Sequence, residues 1–494
     1  MSAVGSILTN SGALQALNSI ANTTNTNNTL ESELSSGLAI SSPADNPAGY
    51  ITAQGFTSQL NGITQAISNA NQGVSLLQTA QGAITQQIGV VQQLNSIAVQ
   101  AANGTQTAAE TESLQNVVNQ LTAQVSTIAN QTQFNNISLL NGTFSGVQFQ
   151  VGANEGQTQT LSIGNLAADA IGLNASTSSS TLYKTGASSA SAVVVAAAAA
   201  PTGAFTAGTL TVVGPSGGTS TVAATAAESA ASLATAVNDI SGTTGVQAQA
   251  TTTATFSLTK GTSTTLPAFQ FTIQAGTGSA GNIGTAQDIA ASSAAQIVSQ
   301  INGESSTSGI VASLNTSGDL VLNQVNGQNI VFSNVTSGSL TTTSATAANQ
   351  ATISSTNAAA LVQGQVQLQS SGAFSIENGT DIGLNKSSTL TSLSEINVAS
   401  TSGANTAINV VKYALAALNN QGGQLGAVQQ ALTANINNLS TTSQNLTSAL
   451  GVVQDANIPA VSNSLTEAEI QAQSGVAALK ASTQLQQSYL SLLP

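Results

Sequence analysis

The chain has 494 residues, with 5 lysines, 18 carboxylates, no arginine, histidine, cysteine or tryptophan, and a formal charge of -13. Charged residues make up 5% of it, against roughly 25% in an ordinary soluble protein. These absences exclude the usual zinc sites, disulfides, iron–sulfur clusters, Ser-His-Asp and Cys-His catalysis, and the basic footprint of a nucleic-acid binder.

Residues 1–140 are rich in Gln, Asn, Leu, Ile and Ala and read as helix. The front is amphipathic, with Val4, Ile7, Leu14, Leu17, Ala21, Leu30 and Leu34 on one stripe. Asp45, between Pro43 and Pro47, is placed to organise a turn. Phe56, Leu60, Ile63, Ile67, Ala70, Val74 and Leu77 then alternate steps of four and three, followed by Ile84, Ile88 and Val91. This is a heptad seam of the coiled-coil kind. A helix from Phe56 to Ala101 extends about 70 Å at ~1.5 Å per residue. Leu114, Val118, Leu121, Val125 and Ile128 predict a second helix, and Asn130 to Asn136 breaks it.

Residues from about 180 to 390 are rich in Ser, Thr, Gly and Ala with short alternating stretches. A repeat runs through them. Val237-Asn238 precedes Gly245 by the same spacing that separates Ile301-Asn302 from Gly309, and Phe256 and Leu258 match Leu320 and Leu322. Each copy predicts a short helix (Ala226 to Val237; Ala291 to Ile301), a turn and a hairpin. The second hairpin is expected to turn at Asn326-Gly327, between Leu320/Leu322 and Ile330/Phe332. The composition then reverts. Ile408, Val411, Leu415, Leu418, Leu425, Leu432, Ile436, Leu439, Leu446, Leu450 and Val453 keep heptad steps, and Val461, Leu465, Ala468, Ala472, Val476, Leu479, Leu490 and Leu493 form a last stripe.

Long heptad helices bury their stripes against one another, so the two ends of the chain are expected side by side. The extreme ends have no e/g charge pairs, and their stripes call for burial against other copies. No apolar run reaches the ~18 residues of a membrane span. The longest, Ala192 to Ala200, falls short, and no basic n-region of a signal peptide is present. We expect no membrane, nucleic-acid, metal or cofactor partner.

The carboxylates are too scattered for catalysis. Glu31/Glu33, Glu110/Glu112 and Glu467/Glu469 are i,i+2 pairs, which do not share a helix face. Glu110 and Glu112 suit the positive end of a helix dipole. Glu467 and Glu469 are read the same way, with Ser464 or Thr466 as the N-cap. Gly422-Gly423 lacks the Lys of a phosphate loop and is read as allowing close helix approach or a bend. Lys412 and Lys480 are read as snorkelling surface residues.

At this point the residues resemble a family, the bacterial flagellins. Leu34-Ser35-Ser36-Gly37-Leu38 with Asp45, Ala48-Gly49 and Ala53 are similar to its N-terminal signature. Gln131-Thr132-Gln133-Phe134-Asn135 with Leu139-Leu140-Asn141-Gly142 resemble its helix-to-hairpin junction. Leu425-Gly426-Ala427-Val428-Gln429, Asn438-Leu439, Asp455-Ala456 and Leu490-Ser491-Leu492-Leu493 resemble its C-terminal helix and tail.

The resemblance implies an α+β fold, with long antiparallel coiled-coil helices from both chain ends and an inserted Ser/Thr-rich, β-rich outer region. It implies a terminal coiled-coil domain (1–44 with 455–494) and a helical rod with a β-hairpin (45–180 with 390–454). The variable region (181–389) is expected to hold two α+β modules, at about 208–275 and 283–345. The implied function is a secreted, non-enzymatic subunit that self-assembles into the extracellular flagellar filament. Implied partners are further copies, the flagellar export apparatus, an export chaperone, and the hook-junction and cap proteins. A hook–filament junction protein and a secreted coiled-coil adhesin are the alternatives.

Positions that the family usually charges are neutral here: Ala39, Ala44, Asn46, Gln93, Asn95, Leu450, Val452, Gln454 and Asn457, with Pro494 in place of the common terminal Arg. Contacts between copies are therefore expected to rest on apolar packing and Asn/Gln hydrogen bonds. Gln93 and Asn95 fall where innate receptors detect many flagellins, so weak recognition is expected. Charge depletion suits tolerance of acid, because few groups titrate near pH ~4. A surface built for O-glycosylation is the rival explanation.

Overall fold

The computed structural model describes residues 9–178, 182–186, 208–224, 229–262, 267–276, 285–343, 352–355, 359–379 and 383–491. Three helices come first: α1 (Ser11–Ser36), α2 (Pro47–Ala101) and α3 (Ala108–Gln131). Two small hairpins follow, β1 (Gln133–Phe134) with β2 (Ile137–Ser138), and β3 (Val147–Gln150) with β4 (Thr158–Leu161). Then come β5 (Gly172–Thr177), β6 (Leu182–Gly186), β7 (Gly208–Val213), β8 (Thr219–Ala224), α4 (Ala230–Asp239), α5 (Ser241–Thr244) and β9 (Gln247–Thr259). Next are β10 (Phe269–Gly276), β11 (Gln287–Ala291), α6 (Ala294–Gly303), α7 (Ser305–Ser308), β12 (Ile310–Leu314), β13 (Leu320–Gln324) and β14 (Asn329–Ser337). The middle ends with β15 (Ser339–Thr342), β16 (Thr352–Ile353), β17 (Ala359–Gln363), β18 (Gln365–Ser370), β19 (Ser375–Glu377) and β20 (Thr389–Ser392). Helices α8 (Thr401–Gln454) and α9 (Ile458–Ser491) close the order.

The chain divides into two compact units, one of residues 1–79, 145–162 and 424–494, the other of residues 80–144 and 163–423. Local chemistry sets the helix ends. Asn10 caps α1 by accepting from the Ala13 N–H, and Gly37 ends it at φ 74°. Thr107 and Glu110 form a capping box at the start of α3. Asn135 and Asn136, both at positive φ, make the two-residue turn between β1 and β2. The predicted break between Asn130 and Asn136 is this turn. One cap differs from expectation. Ser464 and Thr466 lie inside α9, where Thr466 Oγ1 donates to the Ser462 carbonyl. Asn457 takes the cap instead, its Oδ1 accepting from the Ala460 N–H, with Pro459 in the first turn where a missing N–H costs nothing.

In the second unit an eight-stranded sheet runs β12-β13-β9-β18-β5-β20, with β15 joined to β9 and β16 to β15. A five-stranded sheet runs β11-β10-β14-β17-β6, and a three-stranded sheet β19-β7-β8. One core joins Phe256, Phe271, Ile273, Leu320, Leu322, Ile330 and Phe332 with Ile297 and Ile301 of α6. Phe256 and Phe332 meet edge to face, 5.2 Å between ring centres. A second core gathers Leu210, Val212, Leu233, Val237, Val366 and Leu368 around α4. Strand β9 supplies residues to both, so the two repeats share a sheet.

The Asn326-Gly327 segment is a correction to the predicted hairpin. Strands β13 and β14 do not pair: β13 bonds to β12 and β9, whereas β14 bonds to β10 and β17. The turn carries the chain from one sheet to the other, because Leu320/Leu322 and Ile330/Phe332 face one core from two sheets. Gly327 sits at φ 71°, and a Cβ there would lie 2.2 Å from Ala250 Cβ, so the position must be glycine. The hairpin of the second repeat is β12–β13, closed through Asn315, whose carboxamide holds Ser317 and Asp319.

Candidate assembly surfaces

In the first unit, α1 and α9 pair antiparallel. Asn10 Nδ2 donates to Gln486 Oε1 at 2.9 Å, and Ser482 Oγ donates to Asn10 Oδ1 at 3.0 Å. Farther along, a Cβ on Gly475 would press Ile20 Cγ1 at 2.9 Å. At the far end Leu38 bridges Asp455, and the Ala39 N–H donates to the Gln454 carbonyl at 2.8 Å. The α9 residues turned inward are Val461, Leu465, Ala468, Ala472, Gly475, Leu479, Ser482 and Gln486, alternating steps of four and three. Ala13, Ala16, Ile20, Thr23, Asn27 and Leu30 face them from α1. The seam is thus built of small and polar groups as much as leucine.

Other large apolar residues lie outside the seam. Leu14 is 53% exposed, Leu17 49%, Leu34 37%, Ile470 59%, Val476 55% and Leu485 57%. Leu14, Leu17, Leu34 and Val476 were expected to be free for other copies. Ile470 and Leu485 were missed, since they step off the α9 heptad that organises the stripe. Leu465 and Leu479 belong to the seam and are partly buried. The Leu490 side chain and Leu493 lie outside the described residues.

On α2, Ile63, Ala70, Leu77, Ile84 and Val91 are buried, but the other half of the line shifts by one residue: Ala66, Gly73, Ala80 and Gln87 are buried, while Ile67, Val74 and Ile88 are only partly buried, as are Phe56 and Leu60. Small residues win these places because partners come close. A Cβ on Gly73 would stand 3.1 Å from Leu432 Cδ1 and 3.6 Å from a Phe149 ring carbon of the β3–β4 hairpin. A Cβ on Gly62 would meet Ala153 at 2.9 Å. Leu432 is 2% exposed, and Ile436 and Leu439 are partly buried. Ile51 and Val452 are the most exposed large apolar residues, at 72% and 88%.

In the second unit Val118 and Val411 are buried, while Leu114, Leu121, Ile408 and Leu415 are partly buried. Gln87 is fully buried and bridges two backbone carbonyls, its Nε2 donating to Val125 and Leu166 at 3.0 Å each. Gln421 accepts from the Gly164 N–H at 3.1 Å. Polar residues in the seam carried no apolar signal, so periodicity passed over them. A Cβ on Gly422 would meet Ile84 at 3.8 Å, an ordinary contact, and α8 runs unbroken past Gly422-Gly423. The pair therefore permits no unusual approach, unlike Gly73.

The carboxylates do structural work. Asp45 Oδ2 accepts from the Ser41 and Ser42 N–H groups at 3.0 and 2.8 Å, which hold its carboxyl below the usual range, with Ser42 the larger cause. Glu110 is held low in the same way by the Thr107 N–H and hydroxyl. Among the described residues no group of three or more carboxylates could hold a metal ion, and no helix is long and apolar enough to cross a membrane.

Residues 7–145 match the model of the bacterial flagellin N-terminal helical region, and residues 408–493 that of the C-terminal helical region. The B-type flagellin of Pseudomonas aeruginosa is 31% identical over 98% of this chain and 99% of its own length. The flagellin of Xenorhabdus nematophila is 36% identical over 34% of this chain and 53% of its own. Phase 1 flagellin of Salmonella naestved is 36% identical over 34% of this chain and 33% of its own. Among solved structures, FliC from Burkholderia pseudomallei covers 73% of this chain and 99% of its own at 19% identity, with a TM-score of 0.30. FlgL of Xanthomonas campestris covers 80% and 98% at 12% identity, with a TM-score of 0.33.

Proposed function

This chain belongs to the bacterial flagellin family, and from that premise we propose how its copies meet in the flagellar filament. It is a structural subunit of that filament. The reading rests on one observation: the α1–α9 seam is closed by small and polar side chains together with Ile20, Leu30, Val461, Leu465 and Leu479, while Leu14, Leu17, Ile470, Val476 and Leu485 are left about half exposed. Large apolar residues left open on several sides of one helix pair call for partners on more than one side, and the partner available to a self-assembling subunit is another copy. Residues 1–44 with 455–494 form the terminal coiled-coil domain, and 45–180 with 390–454 the rod. Residues 181–389 form the outer region. Ile51 and Val452 supply a second contact, on the rod.

The contacts are apolar and amide-based, because the positions the family usually charges are neutral. The subunit leaves the cell through the flagellar export apparatus with a chaperone, and meets junction and cap proteins at the filament ends. Similarity over the full length of a filament flagellin favours this reading over a junction protein. The test is polymerisation of purified monomer on short filament fragments, followed by electron microscopy. Tubes continuous with the seeds are expected. Monomer that never extends seeds, with its helices intact by circular dichroism, contradicts the proposal.

A further inference from the structure

The two repeats share a device at their helix ends. In the first, Asn238 Oδ1 accepts from the Ala248 N–H at 2.8 Å and its Nδ2 donates to the Ala248 carbonyl at 3.0 Å. In the second, Asn302 does the same to Ala312, at 2.8 Å for both bonds. One carboxamide thus satisfies both backbone groups of one strand residue, as a neighbouring strand does. The preceding outward N–H groups are also taken: Val246 donates to Thr244 Oγ1, and Ile310 to Ser308 Oγ.

The second repeat extends the device to another strand. Gln300 of α6 accepts from the Ala290 N–H at 3.1 Å and donates to the Ala290 carbonyl at 2.9 Å. Gln296 accepts from the Ser292 N–H at 2.8 Å. Ala290 lies on β11, the end strand of the five-stranded sheet, and Ala312 on β12, the end strand of the eight-stranded sheet. Helix α6 therefore bonds to the open edges of both sheets, while Ile297 and Ile301 anchor it in the core between them.

Strand β12 needs such a guard. Its sequence, Ile310-Val311-Ala312-Ser313-Leu314, has two β-branched residues, no charge and no proline, with Val311 47% and Leu314 41% exposed. An uncharged apolar edge of this kind is a template for pairing with another chain. In a polymer the same edge recurs on every subunit, at the high effective concentration that linkage produces.

We propose that α6 is a hydrogen-bonded plug: Gln300 and Asn302 withhold the β11 and β12 edges from strand pairing with a second copy of this chain. The usual guards of an edge, lysine and proline, are absent from β12, and side-chain amides replace them.

The test uses the full chain kept monomeric without seeds. Asn302→Ala opens the β12 edge, and Gln300→Ala opens the β11 edge while leaving the turn after α6 unaltered. Sedimentation velocity should show both variants associating at a concentration roughly tenfold below the parent. Adding Val311→Lys to Asn302→Ala places a charge on the open edge without restoring a bond. It should return the protein to monomer while the melting temperature stays at the value for Asn302→Ala alone. Two results overturn the proposal: both single variants remaining as monomeric as the parent, or Val311→Lys leaving the association of Asn302→Ala unchanged.

Discussion

Leu17→Asp separates the surface that folds the subunit from the surface that joins subunits. Leu17 is 49% exposed, on the flank of α1 beside the seam residues Ala13 and Ile20. In the isolated chain the change loses the half of the side chain already covered, about 1 kcal/mol, and adds the helix propensity of Asp, about 0.5 kcal/mol. In the filament it is much larger. Full burial of a leucine contributes about 1.5–3 kcal/mol, so the half still exposed is worth about 1 kcal/mol when another copy covers it. An unpaired carboxylate in that contact adds a desolvation cost of about 3 kcal/mol or more. The sum, about 4 kcal/mol, raises the critical concentration for growth about a thousandfold. Seeded polymerisation followed by pelleting measures that concentration, and circular dichroism of the unpelleted monomer measures the fold. Gly475→Val is the counterpart on the seam: its side chain collides with Ile20, so it should lower monomer helicity. The reasoning fails if Leu17→Asp filaments grow at the parent's critical concentration, or if Leu17→Asp itself unfolds the terminal helices.

Three further outcomes are expected. Gln87→Ala leaves the Leu166 carbonyl without its donor and opens a cavity, so urea unfolding should show a loss of about 2–4 kcal/mol. Gly327→Ala forces a side chain against Ala250 at a positive φ and should cost at least about 1 kcal/mol, read by thermal melting of the full chain. Acid should affect the subunit late. Asp45 and Glu110 are held below their ordinary values by hydrogen bonds. Their contribution is complete above the ordinary carboxylate range and is lost only as pH falls through the lowered values. Filaments should therefore stay intact from pH 7 down to about pH 4, and pelleted mass that drops between pH 6 and 5 would refute this.

Periodicity made the long helices legible. The steps from Phe56 to Val91 and from Ile408 to Val453 fall within the long helices α2 and α8, because heptad burial is a local arithmetic of side chains. The exact line was less legible. Gly73 and Gln87 are buried on α2 where Leu432, Phe149 and the Leu166 carbonyl approach them, and none of those partners is near in sequence. The turn at Asn326-Gly327 shows the same limit. Its residues announce a tight turn, but whether the next strand returns beside the last or crosses to another sheet depends on which core Ile330 and Phe332 enter. Exposure of Ile470 and Leu485 followed only once the α1–α9 register was visible.

The amide clamps on Ala248 and Ala312 bear on how the β-rich middle of the chain could have lengthened. Copying a piece of β-structure into a chain ordinarily leaves a raw border that must be repaired by later change. Here the Asn that closes the border travels with the segment it closes, ten residues ahead of its alanine in both copies. A repeat of this design can be duplicated in one event and arrive already finished, so growth of the region needs no intermediate that sticks to its neighbours.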